Sequence, residues 1–155
     1  LGWSPEEAVE SAARQLWNII FSVPQLSVRL TALPEKHRRM LAFFLNFWTE
    51  NRTLFLHSGL TPLHPELNYP FVMAENGNAV AVVLYSEQAL RITGLSGRRL
   101  IVVNATASPE LLLQFQGKET RAEIRDCCGN PAGRVTLQDG IRSITIPPSG
   151  VLVAE

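Results

Sequence analysis

The chain is poor in the groups that most chemistry needs. Only two aspartates are present, Asp126 and Asp139, and only two cysteines, the adjacent pair Cys127-Cys128. Neighbouring cysteines form a strained bridge at best, and without a C-x-x-C spacing they suit neither a metal nor a redox site. They read as reduced thiols near a turn, which points to a reducing compartment and a cytoplasmic location. The three histidines, His37, His57 and His64, lack ligand spacing, so no metal and no cofactor is expected. Excess charge is missing as well. Lys+Arg and Asp+Glu both number 14, which removes the field that would draw in nucleic acid or an anionic membrane. No apolar run approaches the roughly 20 residues that span a bilayer. No Gly-rich phosphate loop, His-Glu metal motif or nucleophile elbow occurs. After Tyr85 the only aromatic residue is Phe115, so the C-terminal half offers few platforms for stacking sugars. No signal peptide is visible, and a start at Leu1 rather than Met suits a trimmed domain or a processed product.

What is present is a core. With 155 residues and 46% hydrophobic composition, the chain can bury a sizeable interior, and disorder is excluded. Leu33 to Ser58 reads as one long helix. Pro34 sits in its first turn, where the missing N–H costs nothing, and Gly59 supplies a left-handed stop. Leu41, Phe44, Leu45, Trp48 and Phe55 recur at helical spacing, widened by Phe43 and Phe47. Upstream, Ser4-Pro5-Glu6-Glu7 is a capping box, with Ser4 capping the amide of Glu7 and Pro5 in the first turn. Val9, Ala12, Ala13, Leu16, Trp17 and Ile20 continue it as a helix over Pro5–Ile20, which Pro24 stops. Gln25–Leu30 alternates Leu26, Val28 and Leu30 and reads as a single strand. That strand has no partner nearby, which points to a larger parallel sheet.

Beyond Gly59 the texture changes. Leu60 to Pro70 carries three prolines and no period, so it reads as a connector. From Phe71 the pattern is strand after strand: Ala79–Tyr85, Ala89–Thr93, Arg98–Asn104 and Arg121–Cys127, separated by breaks such as Asn-Gly and Ser-Gly. Leu111–Phe115 fits either a strand or a helical turn. Val135 to Gln138, Asp139-Gly140 and Ile141 to Ile146 read as a hairpin with a type I′ turn. Leu137 then stands opposite Arg142, Val135 opposite Ile144, and Gly133 opposite Ile146. One face collects Val135, Leu137, Ile144 and Ile146; the other carries Arg134, Thr136, Ser143 and Thr145. Pro147-Pro148-Ser149-Gly150 separates this hairpin from a last strand, Val151–Ala154. Seven or eight antiparallel strands imply a sandwich or barrel.

Five stretches together carry a family resemblance. They are Trp3-Ser4-Pro5-Glu6-Glu7, Ser22-Val23-Pro24-Gln25-Leu26-Ser27-Val28, Leu33-Pro34-Glu35-Lys36-His37-Arg38-Arg39, Phe47-Trp48-Thr49-Glu50-Asn51-Arg52, and Pro62-Leu63-His64-Pro65-Glu66-Leu67-Asn68-Tyr69-Pro70. Over Trp3 to about Tyr85 the chain resembles the C-terminal end of the melibiase-type α-galactosidases, a glycoside hydrolase family. The resemblance implies an α+β arrangement in three parts. Residues 1–59 would be the last helix–strand–helix of a (β/α)8 barrel, 60–70 a connector, and 71–155 the C-terminal antiparallel β-sandwich. It implies a retaining mechanism with two aspartates about 5–5.5 Å apart. Both come from barrel strands upstream of this segment, so no catalytic, cofactor-binding or metal residue is assigned. Arg29 and Thr31, at the C-terminal end of the expected strand, would border the sugar pocket of a complete enzyme or serve only as a strand-to-helix turn.

The function expected is structural support of a catalytic barrel, with an α-galactoside as substrate of the complete enzyme and the chain inactive alone. A carbohydrate-binding module and a protein-interaction module are the alternatives. Partners are the remainder of the parent enzyme or a second copy. Without them, Leu1–Leu30 either self-associates, is covered by the longer polypeptide, or abandons its strand.

Overall fold

The structure, a computed structural model, describes residues 1–95 and 97–155; the Ser96 half of the Ser96-Gly97 break lies outside the described residues. The fold is α+β and has three layers. Two helices, α1 (Val9–Trp17) and α2 (Glu35–His57), lie on one face of a seven-stranded sheet. A three-stranded sheet covers the other face. The strands are β1 (Gly59–Leu63), β2 (Phe71–Glu75), β3 (Ala79–Leu84), β4 (Leu90–Thr93), β5 (Arg99–Asn104), β6 (Glu110–Gln116), β7 (Thr120–Arg125), β8 (Pro131–Leu137), β9 (Gly140–Thr145) and β10 (Val151–Ala154).

The large sheet runs β1-β2-β3-β5-β10-β7-β8 and the small one β4-β6-β9. Pairing is mostly antiparallel, but β3–β5 and β4–β6 are parallel, which corrects the expectation of a wholly antiparallel sandwich. The central strands explain the layering. In β3 and β5 nearly every residue is buried, because successive side chains serve opposite cores. Ala81, Val83, Ile101 and Val103 face the helices, while Val80, Val82, Leu84, Leu100 and Val102 face the small sheet.

The long helix is as expected in place and length, with Leu41, Phe44 and Phe55 buried and Trp48 half-buried. Leu45 is a correction: it lies at the stripe's solvent edge, 37% exposed, while Phe47 of the stripe is buried together with Met40 and Leu54, which the pattern does not single out. The stop is also different. Ser58 is already extended, and Gly59 opens β1 rather than taking a left-handed cap.

Helix α1 is shorter than its pattern, beginning at Val9 and ending at Trp17, with looser turns carrying the chain on to Ile20. The Ser4 hydroxyl accepts from the Glu6 amide and its carbonyl from the Glu7 amide, so Ser4–Glu7 is a separate turn. The Glu7 carbonyl, free to start a helix ladder, instead meets the His37 ring at 3.0 Å. Tertiary contact overrides the capping box here.

Gln25–Leu30 is not a strand. Ser27 donates to the Leu1 carbonyl at 2.7 Å and the Leu1 amine to the Gln25 carbonyl at 2.9 Å, while the Arg29 and Leu30 carbonyls accept from Ala32 and Leu33 in a local turn. Without a neighbouring strand the alternation has nothing to pair with, and the chain passes into a single 3-10 turn at Leu30–Ala32. The connector also gains structure, since Gly59–Leu63 pairs with β2 along its whole length.

The Asp139-Gly140 hairpin does not form. β8 pairs with β7 in the large sheet, and β9 with β6 in the small one. The link at Asp139 therefore crosses between sheets, fixed by the Gly117 amide donating to the Asp139 carboxylate at 2.7 Å. Leu137, Ile144 and Ile146 are nevertheless buried together, with Val135 packed at their edge. Alternation specifies which face is inward, and facing residues of two stacked sheets satisfy it as well as neighbours in one sheet.

Candidate functional site

The expected chemistry-bearing residues are dispersed. Asp126 caps its own turn: its carboxylate accepts from the Cys128 and Asn130 amides, both at 2.9 Å, and from the Asn130 side chain at 2.8 Å. Asp139 is occupied by the Gly117 amide. Both aspartates thus do structural work. The two thiols are free, and burial, the largest cause, pushes the Cys127 thiol up to about 12 and raises Cys128 as well. Raised thiols are poor nucleophiles.

His37 and His57 occupy opposite ends of α2, about 30 Å apart along its axis. His64 pairs with the Glu66 carboxylate on the far loop. No cluster of metal-ligating residues occurs among the described residues. Arg29 and Thr31 are exposed at the 3-10 turn, with no strand before them.

What the structure does build is a set of polar anchors between the helices and the strand layer. The Trp17 indole donates to the Ser149 carbonyl at 2.8 Å, and the Ser149 hydroxyl donates to the Glu10 carbonyl at 2.6 Å. Ser149 is fully buried with φ +58, a left-handed conformation that these two bonds hold in place. Arg99 donates to the Asn51 side chain at 2.9 Å, and Arg39 to Asn130 at 2.6 Å. Gly129, at φ +82, lets the turn press on α2: a Cβ there would stand 2.6 Å from the Phe43 ring. Motif residues Trp48 and His37 tie the helical segments to each other instead, Trp48 through its indole N–H to the Ile20 carbonyl at 2.9 Å and His37 through its ring at the Glu7 carbonyl.

Several concave regions remain, two of which border the helical layer. A groove of about 440 Å³ runs between α2 and β7–β10, lined by Glu50, Arg99, Arg121, Glu123, Arg125 and Glu155. Its charges largely answer one another. Glu123 lies 3.7 Å from Arg125 and 3.3 Å from Arg134, and Arg99 lies 3.5 Å from Glu155. Such exposed pairs contribute little to stability and leave no net field.

The second region is a cleft of about 620 Å³ where β3 and β5 end side by side. Arg14 and Asn18 of the α1 end, Tyr85, Ser86 and Glu87 after β3, and Thr106 after β5 line it. It continues into a smaller recess of about 310 Å³ that shares Ser86, Glu87 and Thr106. Burial raises the Tyr85 phenol to about 12, so it is a neutral O–H donor at physiological pH. Beneath the cleft floor, buried Asn104 donates to the carbonyls of Ser108 at 2.8 Å and Ile146 at 2.9 Å, and accepts from the Thr106 hydroxyl at 2.7 Å.

Sequence reasoning found none of these residues. They come from three separate elements and share no spacing, so only the parallel β3–β5 register brings them together. No protein-family model, no curated protein and no solved structure matches this chain.

Proposed function

We propose that the chain is the C-terminal portion of an α-galactosidase-like glycoside hydrolase, with a structural role in support of a catalytic barrel and no turnover of its own. The set of five sequence motifs between Trp3 and Pro70 carries this reading. The surface agrees with it. Of the eight large apolar residues that stand exposed among the described residues, six lie between Val23 and Tyr69: Val23, Leu30, Leu45, Leu60, Leu67 and Tyr69. The motif-bearing part of the chain is therefore also the part whose apolar surface lacks cover, and that pattern suits a larger neighbour. Residues 1–59 would then be the closing helix–strand–helix segment of the barrel, with Gln25–Leu30 becoming a strand once neighbours flank it. The free thiols fit a cytoplasmic location. Among the described residues, no helix is long and apolar enough to cross a membrane.

The test is complementation. A melibiase-type α-galactosidase lacking its own C-terminal portion is mixed with this chain, and co-elution and p-nitrophenyl α-galactoside turnover are measured. Association with recovered turnover is expected, with neither component active alone. An inert mixture without association would overturn the reading.

A further inference from the structure

Asn76-Gly77 is the chain's one asparagine–glycine pair, and it lies in the turn between β2 and β3. Its carboxamide is held on both sides. The Asn76 Oδ1 accepts from the backbone N–H of Asn78 at 2.9 Å and of Ala79 at 3.0 Å, and Nδ2 donates to the Ser58 hydroxyl at 3.3 Å. The backbone carbonyl of Asn76, which belongs to the peptide bond to Gly77, accepts from the Arg98 guanidinium at 3.2 Å. Gly77 is exposed, its N–H has no acceptor among the described residues, and a Cβ there would meet nothing within 4 Å.

We infer that this turn is a self-modification site, at which Asn76 closes on the Gly77 nitrogen to a succinimide and then opens to aspartate or isoaspartate. The contacts fall on the atoms that react. An amide nitrogen attacks as its anion, and the charge of that anion rests largely on the carbonyl oxygen. Arg98 donates to that oxygen, so it favours loss of the Gly77 proton to hydroxide. The nitrogen then bonds to Cγ of Asn76, and the electron pair of the Cγ=O bond moves onto Oδ1. Two backbone N–H groups already point at Oδ1, and their bonds strengthen as it becomes an oxyanion. As the carbonyl re-forms, the Cγ–Nδ2 bond breaks and the nitrogen leaves as ammonia, with one proton taken from water. A water molecule opens the ring at either carbonyl. Nothing is oxidised or reduced; one water is consumed and one ammonia released.

Other positions lack part of this arrangement. Asn130 precedes a proline, which has no N–H to lose, and Asn51 and Asn104 are buried. Asp139-Gly140 has the glycine but presents a carboxylate, a poor electrophile, in place of the carboxamide. The conversion changes both charge and chain. Either product adds a carboxylate beside Arg98 and takes the chain from formal neutrality to one negative charge. Isoaspartate also adds a methylene to the main chain next to the Glu75–Val80 pair, which loosens the β2–β3 register.

The chain is held at mildly alkaline pH and sampled by peptide mapping, with isoaspartate-specific methylation as the second readout. The amide-to-acid mass gain is expected at Asn76 before any other asparagine, about tenfold faster than in the free peptide Ala74–Val80. Gly77→Ala, which the open space accommodates, should stop the conversion and leave the fold intact. Arg98→Gln should slow it about tenfold and also slow base-catalysed exchange of the Gly77 amide hydrogen, whereas a purely structural role would leave that exchange equal or faster. Arg98→Lys should recover part of both. Earlier conversion at another asparagine, a rate no higher than the peptide's, persistence in Gly77→Ala, or unslowed amide exchange in Arg98→Gln overturns the inference.

Discussion

The two faces of the seven-stranded sheet are held by different means. Towards the helices the sheet presents small side chains, among them Ala74, Ala81, Ala105 and Val83, and the helices fill the space with Trp17, Phe44, Phe47 and Phe55. Towards the small sheet the strands present leucine, isoleucine and valine, and Phe71 and Phe115 are the buried aromatics of that cluster. The helical core adds directional bonds across its boundary, from Trp17 to Ser149 and from Ser149 to Glu10. The sandwich core relies on interlocking aliphatic shape, with one polar hub at Asn104. Rings edge-on to one another, with Trp17 and Phe44 centroids 5.1 Å apart, constrain orientation in a way that branched aliphatics do not. The helical layer should therefore be the less forgiving of the two.

Substitution at Trp17 tests that contrast most strongly. Trp17→Ala should cost about 3–5 kcal/mol in chemical denaturation, since it empties a fully buried ring site. Trp17→Phe keeps an aromatic ring but leaves the Ser149 carbonyl unpaired, for an expected cost of about 1–3 kcal/mol. Leu137→Ala on the other face should cost about 2–5 kcal/mol, by cavity formation alone. If Trp17→Phe is neutral, the polar anchor contributes nothing and the two cores are alike.

Asn104→Ala comes next. It removes one side chain that satisfies two carbonyls and the Thr106 hydroxyl at a buried site, and a loss of about 1–3 kcal/mol is expected. Protection of the Ile146 region against hydrogen exchange should fall with it. A stability change below about 0.5 kcal/mol would show that the hub is replaceable by water.

These hubs mark where sequence reading stopped. The long helix, the strand-rich second half and the inward residues of β8 and β9 were legible because periodicity reports burial directly. Strand pairing was not. Asp139-Gly140 has the chemistry of a tight hairpin, yet the chain uses it to change sheets, because the same alternating residues are buried either way. Gln25–Leu30 failed for the converse reason: its alternation is real, but pairing needs a neighbour that local pattern cannot supply. The capping box at Ser4–Glu7 lost to a histidine 30 residues away. The cleft was invisible throughout, since Arg14, Glu87 and Thr106 meet only after β3 and β5 have paired.

The two faces should also part company with pH. On the helical side Cys127 and Tyr85 both rise to about 12 through burial, from ordinary values of 9.0 and 10.0. A group with a raised folded pKa gives stability that is complete below its unfolded value and disappears as pH climbs to the folded one. Unfolding free energy should thus fall between about pH 9 and 12. Cys127→Ala should flatten the lower part of that slope, whatever it does to the absolute stability. An unchanged slope would mean that the thiol ionises as freely in the folded chain as in the unfolded one.

The smallest effect expected belongs to the outer face of the small sheet, at the acid end of the scale. Glu110 accepts from the Ser143 hydroxyl at 2.6 Å and the Thr145 hydroxyl at 2.9 Å, both across the β6–β9 pair. These bonds, Ser143 first, hold its carboxyl below the usual 4.5. The sign is opposite to that of the thiol. A depressed folded pKa gives stability present above the unfolded value and lost as pH falls through the folded one, so the window opens at about pH 4.5 and runs downward. Full exposure to solvent keeps the effect slight, and added salt should leave it nearly intact, because the partners are neutral hydroxyls rather than charges. Glu110→Gln should therefore reduce the acid-side slope while barely altering stability at neutral pH. A variant whose acid slope matches that of the parent would show that these cross-strand bonds do not outlast competition from water.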